Sequence, residues 1–337
     1  MAGILELRDY SVSFDTDEGE LKAVRNVNLT LKEGEILAIV GESGCGKTVL
    51  CKSVMKLLPK TATIKSGSVL INGKDITNYK EKQMRNLRGT AFSMVFQDPM
   101  ETLNPTVPIG KQIVENILKH KKMSYADAKK KAIELLQLVE IDNPEERFSM
   151  QPHFFSGGMR QRCVLAIVLA TEPKILFADE PTTALDVTVQ AKIIDLLLSL
   201  RKKLNLSIVF ISHDLGVVAR IADRVAVMYA GKVVEIGMSN EVYYDPRHPY
   251  TWGLMASLPM FAQKNGRLKS IPGMPPTLVN IKDCDAFAPR NDYAMKIDYE
   301  KMPPMFKITD THFAATWLLD ERAPKVNPPV LLKRREM

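Results

Sequence analysis

The segment Gly41-Glu42-Ser43-Gly44-Cys45-Gly46-Lys47-Thr48 constrains this chain more than any other. It follows Glu35-Ile36-Leu37-Ala38-Ile39-Val40, a short apolar run bounded by Gly34 and Gly41. Such a run reads as a strand of a parallel sheet, buried on both faces. From Thr48 to Leu58, the residues Val49, Leu50, Val54, Met55, Leu57 and Leu58 recur at helical spacing before Pro59. The glycine segment is therefore expected between a strand and a helix N-terminus, the context in which G-x-x-x-x-G-K-[ST] is a phosphate loop. Gly41, Gly44 and Gly46 let the backbone wrap closely, so that its N–H groups and the helix dipole face phosphate oxygens. Lys47 is expected to neutralise the β- and γ-phosphates of a nucleotide, and the Thr48 hydroxyl to ligate Mg²⁺. Glu42, Ser43 and Cys45 complete the nucleotide-binding segment, with Cys45 expected as a small residue rather than a reactive thiol.

A second apolar strand, Lys174 to Asp179, ends in two adjacent carboxylates. Strand alternation sends Asp179 and Glu180 to different sides. One can then serve the magnesium shell, and the other a water. The expectation is Asp179 on the metal through water, and Glu180 as general base. A third strand, Ser207-Ile208-Val209-Phe210-Ile211, runs into Ser212-His213-Asp214, and Met94-Val95-Phe96 runs into Gln97-Asp98-Pro99. Taken alone, neither the histidine nor the glutamine is specific. Phe155-Ser156-Gly157-Gly158-Met159-Arg160-Gln161-Arg162 precedes an apolar helix, Val164 to Ala170, which Ser156 can cap. A second helix start open to an anion needs a purpose in a chain that already carries a complete phosphate loop.

The glycine loop, the Ser156-Gly157-Gly158 segment and the Asp179-Glu180 pair, in that order, resemble the ATP-binding subunit of an ABC transporter. The resemblance implies an α/β P-loop NTPase of the ABC type. Its parts would be a RecA-like core sheet, an N-terminal antiparallel β-subdomain and an inserted helical subdomain at about 98–170. It also assigns roles. Gln97 would ligate Mg²⁺ or position water, and His213 would contact the γ-phosphate. Phe14 would stack on adenine, with Tyr10 as the alternative. Ser156, Gly157, Gly158 and Met159 would act in trans on the ATP of a second subunit, and Asp186 would lie in a dimer-contact loop with Ala184 and Leu185.

The resemblance continues past the ATPase core. His248-Pro249-Tyr250-Thr251-Trp252-Gly253-Leu254-Met255-Ala256-Ser257-Leu258-Pro259, Ile271-Pro272-Gly273-Met274-Pro275-Pro276 and Phe287-Ala288-Pro289-Arg290 look like the tail of the dipeptide, oligopeptide and nickel importer ATPases. This divides the chain into an ATP-binding domain, 1–237, and an importer-type extension, 238–337. The implied partners are two membrane-spanning permease subunits, a second ATP-binding subunit and, indirectly, an extracytoplasmic binding protein. Met159, where many such signatures carry glutamine, favours a heterodimer. Many relatives hold an iron–sulfur cluster on four tail cysteines. Here the corresponding positions are Asp285, Asn291, Asp298 and Thr316, with Cys284 one residue off. Clusters need several thiolates, so none is expected, and the tail is expected to pack through Phe287, Tyr293, Met295, Met302, Phe306, Phe313 and Trp317.

Composition agrees with this reading. Hydrophobic residues make 45% and charged residues 25% of the 337, as in globular proteins. No apolar run is long enough to span a membrane, and the charged stretch Met1 to Gly19 predicts no secretory signal. Four scattered cysteines suit a reducing cytosol, so the expected place is the cytoplasmic face of the membrane. The net charge of +7 comes from clusters such as Lys119-His120-Lys121-Lys122, Lys129-Lys130-Lys131, Arg201-Lys202-Lys203 and Lys333-Arg334-Arg335. They read as solvated helix faces with a weak attraction to anionic lipid. A nucleic-acid partner is not expected, since the chain lacks the second cassette, the long coiled coil or the zinc-binding cysteines of soluble ABC ATPases.

Overall fold

The computed structural model describes residues 3–183, 185–258 and 270–329. Pro259, Ala184 and the Lys333-Arg334-Arg335 cluster lie outside the described residues. The chain forms two units, one of Met1–Leu31, Ile36–Thr77 and Ser212–Met337, the other of Lys32–Glu35 and Asn78–Ile211.

The first unit begins with a four-stranded antiparallel sheet, ordered Gly19–Leu31, Leu5–Thr16, Ala62–Ile71, Lys74–Asp75. Leu5, Leu7, Tyr10 and Val12 are its buried apolar positions on the first strand. Leu7 and Tyr10 break strict alternation, and the ladder shifts register between them. Asp9 takes up the extra residue at φ 47°, a bulge that returns Tyr10 to the core face.

The same unit pairs Ile36–Val40, buried at every position, in parallel with Arg224–Tyr229. Lys232–Met238 follows antiparallel, then Phe313–Ala314 and Phe306–Lys307. The hairpin between Arg224–Tyr229 and Lys232–Met238 closes at Ala230 and Gly231, with φ of 47° and 79°, the positive pair that a two-residue type I′ turn requires. The helix after the phosphate loop spans Lys47–Val54 and is shorter than its apolar spacing predicts. Lys56 at φ 52° ends it, and Leu57 is exposed.

The second unit carries three parallel strands, Phe92–Val95, Ile175–Asp179 and Ser207–Ile211, every residue of them buried. Its helices are led by Ile109–His120, which buries Ile109, Ile113, Val114 and Ile117 along one stripe. Tyr125–Leu138 starts at Ser124, which caps it by accepting from the Asp127 N–H. The basic clusters here are partly consumed: Glu172 pairs with Lys121 at 2.8 Å and also with Lys131, and these bonds hold its carboxyl down at about 2. Among the described residues no helix is long and apolar enough to cross a membrane.

Candidate functional site

In the first unit the phosphate loop leaves the buried strand at Gly41, whose φ is 151°. A Cβ there would meet the Met228 carbonyl oxygen at 2.1 Å, and one at Gly46, φ 101°, would meet that of Ala23 at 2.3 Å. Both positions admit only glycine, because fixed backbone lies against them. Helix Lys47–Val54 starts at Gly46 with no side-chain cap, so its first N–H groups point into the loop. Lys47 is buried, and its Nζ donates to the carbonyls of Gly41 at 2.8 Å and Glu42 at 2.9 Å. Cys45 is also buried, and burial raises its thiol pKa, which suits the inert role expected of it. Ser43 and Gly44 are exposed, and Thr48 is half-buried. Phe14 lies half-buried on its strand opposite Leu21 and Ala62, whereas Tyr10 is wholly buried. A ring with no exposed face cannot receive a base, so of Phe14 and Tyr10 Phe14 alone keeps surface on which one could stack. His213 is exposed one residue before Asp214, which caps the helix Leu215–Ile221.

In the second unit Asp179 ends its strand buried, but Glu180 does not continue it. Its φ is 47°, so the turn rather than strand alternation aims this carboxylate. Left-handed backbone at a non-glycine residue is uncommon and costs energy. Gln97 Nε2 at 3.3 Å and Thr183 Oγ1 at 2.8 Å both donate to its Oε2. The structure thus brings Gln97 and Glu180 together. Thr183 was missed by sequence reasoning. Its only signal is a place three residues past Glu180, where a turn folds back.

The signature segment opens a longer helix than its apolar residues predict, Gly157–Leu169. Ser156 is exposed at the N-cap, and its Oγ accepts from the Met159 N–H at 3.4 Å. A Cβ on Gly158 would lie 2.4 Å from Val189 Cγ1, so this glycine lets two helices approach. Met159 Sδ accepts from Arg147 at 3.6 Å. Asp186 is exposed and caps Val187–Leu204, accepting from the Val189 N–H at 2.9 Å. Val187 beside it is 82% exposed.

A glycine-built helix start, a fixed carboxylate at a strand end and a second helix start capped by an exposed serine match the elements of one family. The ABC transporter family profile matches residues 24–183, and that of the oligopeptide/dipeptide transporter C-terminal region matches 234–297. The oligopeptide transport ATP-binding protein OppD of Bacillus subtilis is 56% identical, over 98% of this chain and 93% of its own. The chain belongs to the ABC transporter ATP-binding proteins. The dipeptide transport ATP-binding protein DppD of Lactococcus lactis is 54% identical over 96% of this chain and 93% of its own. Among solved structures, a dimeric ATP-binding cassette in a post-hydrolysis state with ADP and Pi superposes with a TM-score of 0.62 at 28% identity. It covers 70% of this chain and 98% of the cassette.

In this ABC ATPase the C-terminal segment is built on buried polar groups that sequence reasoning did not find. Glu235, wholly buried, accepts from the backbone N–H of Arg247 at 2.7 Å and of His248 at 3.0 Å, and contacts His312 Nε2 at 2.7 Å. Burial lowers the His248 pKa to about 3, and its neutral ring caps Pro249–Ala256 by accepting from Tyr250 N–H at 3.0 Å. Of the expected aromatic and methionine contacts, Phe287 alone is fully buried. Tyr293 stacks edge-on against Trp252, and Phe306 against Trp317.

Proposed function

We propose that this chain hydrolyses ATP to power the import of peptides, dipeptides or oligopeptides, through a membrane transporter. The observation that carries the proposal is the near-full-length identity to peptide transport ATP-binding proteins, which includes the tail as well as the ATPase core. The division into an ATP-binding domain at 1–237, with a helical subdomain at about 98–170, and an extension at 238–337 belongs to the same reading.

In this mechanism the Gly41–Thr48 backbone and Lys47 hold the phosphates, and Phe14 stacks on the adenine. Glu180 takes the proton of the attacking water, held in aim by Gln97 and Thr183. His213 contacts the γ-phosphate. The Thr48 hydroxyl, the Gln97 amide oxygen and the Asp179 carboxylate are hard oxygen donors that suit Mg²⁺. Held there, Mg²⁺ would supply positive charge to neutralise charge developing on the phosphates. The exposure of Ser156 supports a role for Ser156, Gly157, Gly158 and Met159 on a partner subunit's ATP, with Asp186 at the contact. The partner is a related, distinct ATP-binding subunit. Closure of the two over ATP turns two permease subunits from inward- to outward-facing, at the cytoplasmic face of the membrane, and a binding protein outside delivers cargo.

An iron–sulfur cluster does not suit this tail. The side-chain oxygens of Asp285, Asn291, Asp298 and Thr316 each accept a backbone N–H, from Phe287, Tyr293, Met295 and Leu318. These are oxygen acceptors serving turns, where a cluster needs thiolates.

Uptake of labelled di-, tri- and longer peptides, and of nickel, in cells carrying Lys47→Ala tests the proposal. Loss of one peptide class, restored by the wild-type gene, is expected. Undiminished uptake of every peptide would overturn the cargo assignment.

A further inference from the structure

We propose that Arg290, in the C-terminal segment, is a positioning residue for the phosphate loop, neutralising and orienting the Glu42 carboxylate so that residues 41–48 can accept a triphosphate. The inference rests on the ATPase reading above and extends it to a residue outside the nucleotide-binding motifs. Arg290 is 6% exposed. Its Nη1 donates to Glu42 Oε2 at 2.6 Å and its Nη2 to Oε1 at 2.9 Å. This fork is the geometry in which guanidinium and carboxylate bind most strongly. Nε donates to the Pro272 carbonyl at 2.8 Å, and Nη1 also reaches Tyr229 Oη at 3.3 Å. The guanidinium is thereby fixed from the tail side before it meets the loop.

Glu42 is held at a second point, its backbone N–H donating to Tyr250 Oη at 2.7 Å. Its carbonyl in turn accepts from Lys47 Nζ. A continuous path of hydrogen bonds therefore runs from the C-terminal segment through Glu42 to the lysine expected on the phosphates. The rings behind it are packed: Tyr229 and Tyr250 lie 4.6 Å apart, and Phe287 stands edge-on to both at 5.2 and 5.3 Å. Phe287, three residues before Arg290, anchors the turn that carries it.

Electrostatics decides that this is more than a tie between segments. A carboxylate within a phosphate loop opposes the charge of the ligand the loop must bind, and more so where water is partly excluded. The Glu42 side chain is only 27% exposed. Arg290 cancels that charge and turns both carboxylate oxygens toward itself. Without it, the loop carries an unpaired anion beside the phosphates.

The test uses the assembled transporter and measures ATP Kd with a fluorescent analogue, together with KM and kcat of hydrolysis. Arg290→Ala is expected to raise Kd and KM about tenfold, with kcat within about threefold of wild type. Adding Glu42→Gln to Arg290→Ala removes the uncompensated charge and should restore Kd to within about threefold. A purely structural role would leave the double variant as impaired as the single one, and that result overturns the proposal. So does an unchanged Kd in Arg290→Ala. Should that variant not fold, Arg290→Gln, of similar length and uncharged, is read in the same way against Glu42→Gln. Wild-type protein that fails to hydrolyse ATP would instead break the ATPase reading on which the inference rests.

Discussion

Two of the described helices start at glycine-rich segments, Lys47–Val54 and Gly157–Leu169, and they are built in opposite ways. Lys47–Val54 begins at a left-handed glycine, with no side-chain cap and with Lys47 buried. Gly157–Leu169 begins at an exposed serine whose hydroxyl already accepts from the helix. The first is shaped by backbone packed against backbone, at Gly41 and Gly46, so that its conformation exists before any ligand arrives. The second is open and satisfied by its own cap. A buried, preformed cradle suits the chain's own nucleotide. An exposed, self-capped start can wait for a nucleotide brought by another subunit. Substitutions at each start separate the two, and the largest effect is expected where both should grip one ATP.

Glu180→Gln keeps the acceptor position for Gln97 and Thr183 but not the base. Turnover is expected to fall roughly 10²–10⁴-fold, while ATP remains bound and closed dimers accumulate. Single-turnover hydrolysis with native mass measurement reads both effects. Near-normal turnover would remove Glu180 from the base role and leave its fixed carboxylate unexplained. Gly46→Ala in the same background acts on the first helix start alone. A positive φ of this kind strains any other residue by roughly 1–3 kcal/mol, and the Ala23 carbonyl blocks the new methyl. ATP affinity should fall at least about tenfold, and closed dimers should disappear with it. Wild-type affinity in that variant would show that the loop is not preformed.

These regions differ also in how much of them the sequence displays. The strands Ile36–Val40, Ile175–Asp179 and Ser207–Ile211 are continuous apolar runs, and the phosphate loop needs glycines that no other residue can replace, so both are visible without a structure. The signature helix is less so. Its first turns hold Arg160, Gln161 and Arg162, which look like surface residues. Yet Gln161 is 1% exposed, and Arg160 and Arg162 bond the carbonyls of Pro152 and Glu140. Apolar periodicity begins only at Val164, and a reading based on it starts the helix there. Glu180 fails for another reason, since alternation holds only while the strand continues, and a left-handed residue ends it.

The C-terminal segment was the least legible because its centre is polar. Glu235, His248, Arg290 and His312 read as surface residues by type, and only tertiary pairing makes them core. Asp285 is a further case and serves as a control for both helix starts. Burial raises its pKa to about 6, with Asp298 adding to the effect. The unfolded residue titrates near 3.9, so between these values the native state binds the extra proton. Stability from this group is therefore present below pH 4 and lost as pH rises through about 6. Asp285→Asn keeps the acceptor for the Phe287 N–H and removes the charge. It should raise stability at pH 8 by up to about 3 kcal/mol relative to its effect at pH 4. Denaturant titrations at the two pH values, with ATP binding and dimer trapping unchanged, would confine the effect to the tail. A gain of equal size at both would show that charge is not the cause.

The smallest expected change in stability probes the second helix start. Ser156→Ala removes the hydroxyl that caps Gly157–Leu169. Caps are worth roughly 0.5–2 kcal/mol, and a bond of 3.4 Å at an exposed residue belongs near the lower end. Its functional effect should exceed its thermodynamic one. In the Glu180→Gln background, Ser156→Ala should still bind ATP, because the first helix start is intact, yet form few closed dimers. This is the reverse of Gly46→Ala, which loses ATP first. If trapped dimers survive Ser156→Ala in full, the hydroxyl serves only its own helix, and any grip on the partner's nucleotide must come from the backbone at Gly157 and Gly158. Gly158→Ala then decides, since its Cβ would push against Val189 and displace that backbone. Dimers that survive this change as well would end the case for a second phosphate-binding helix start.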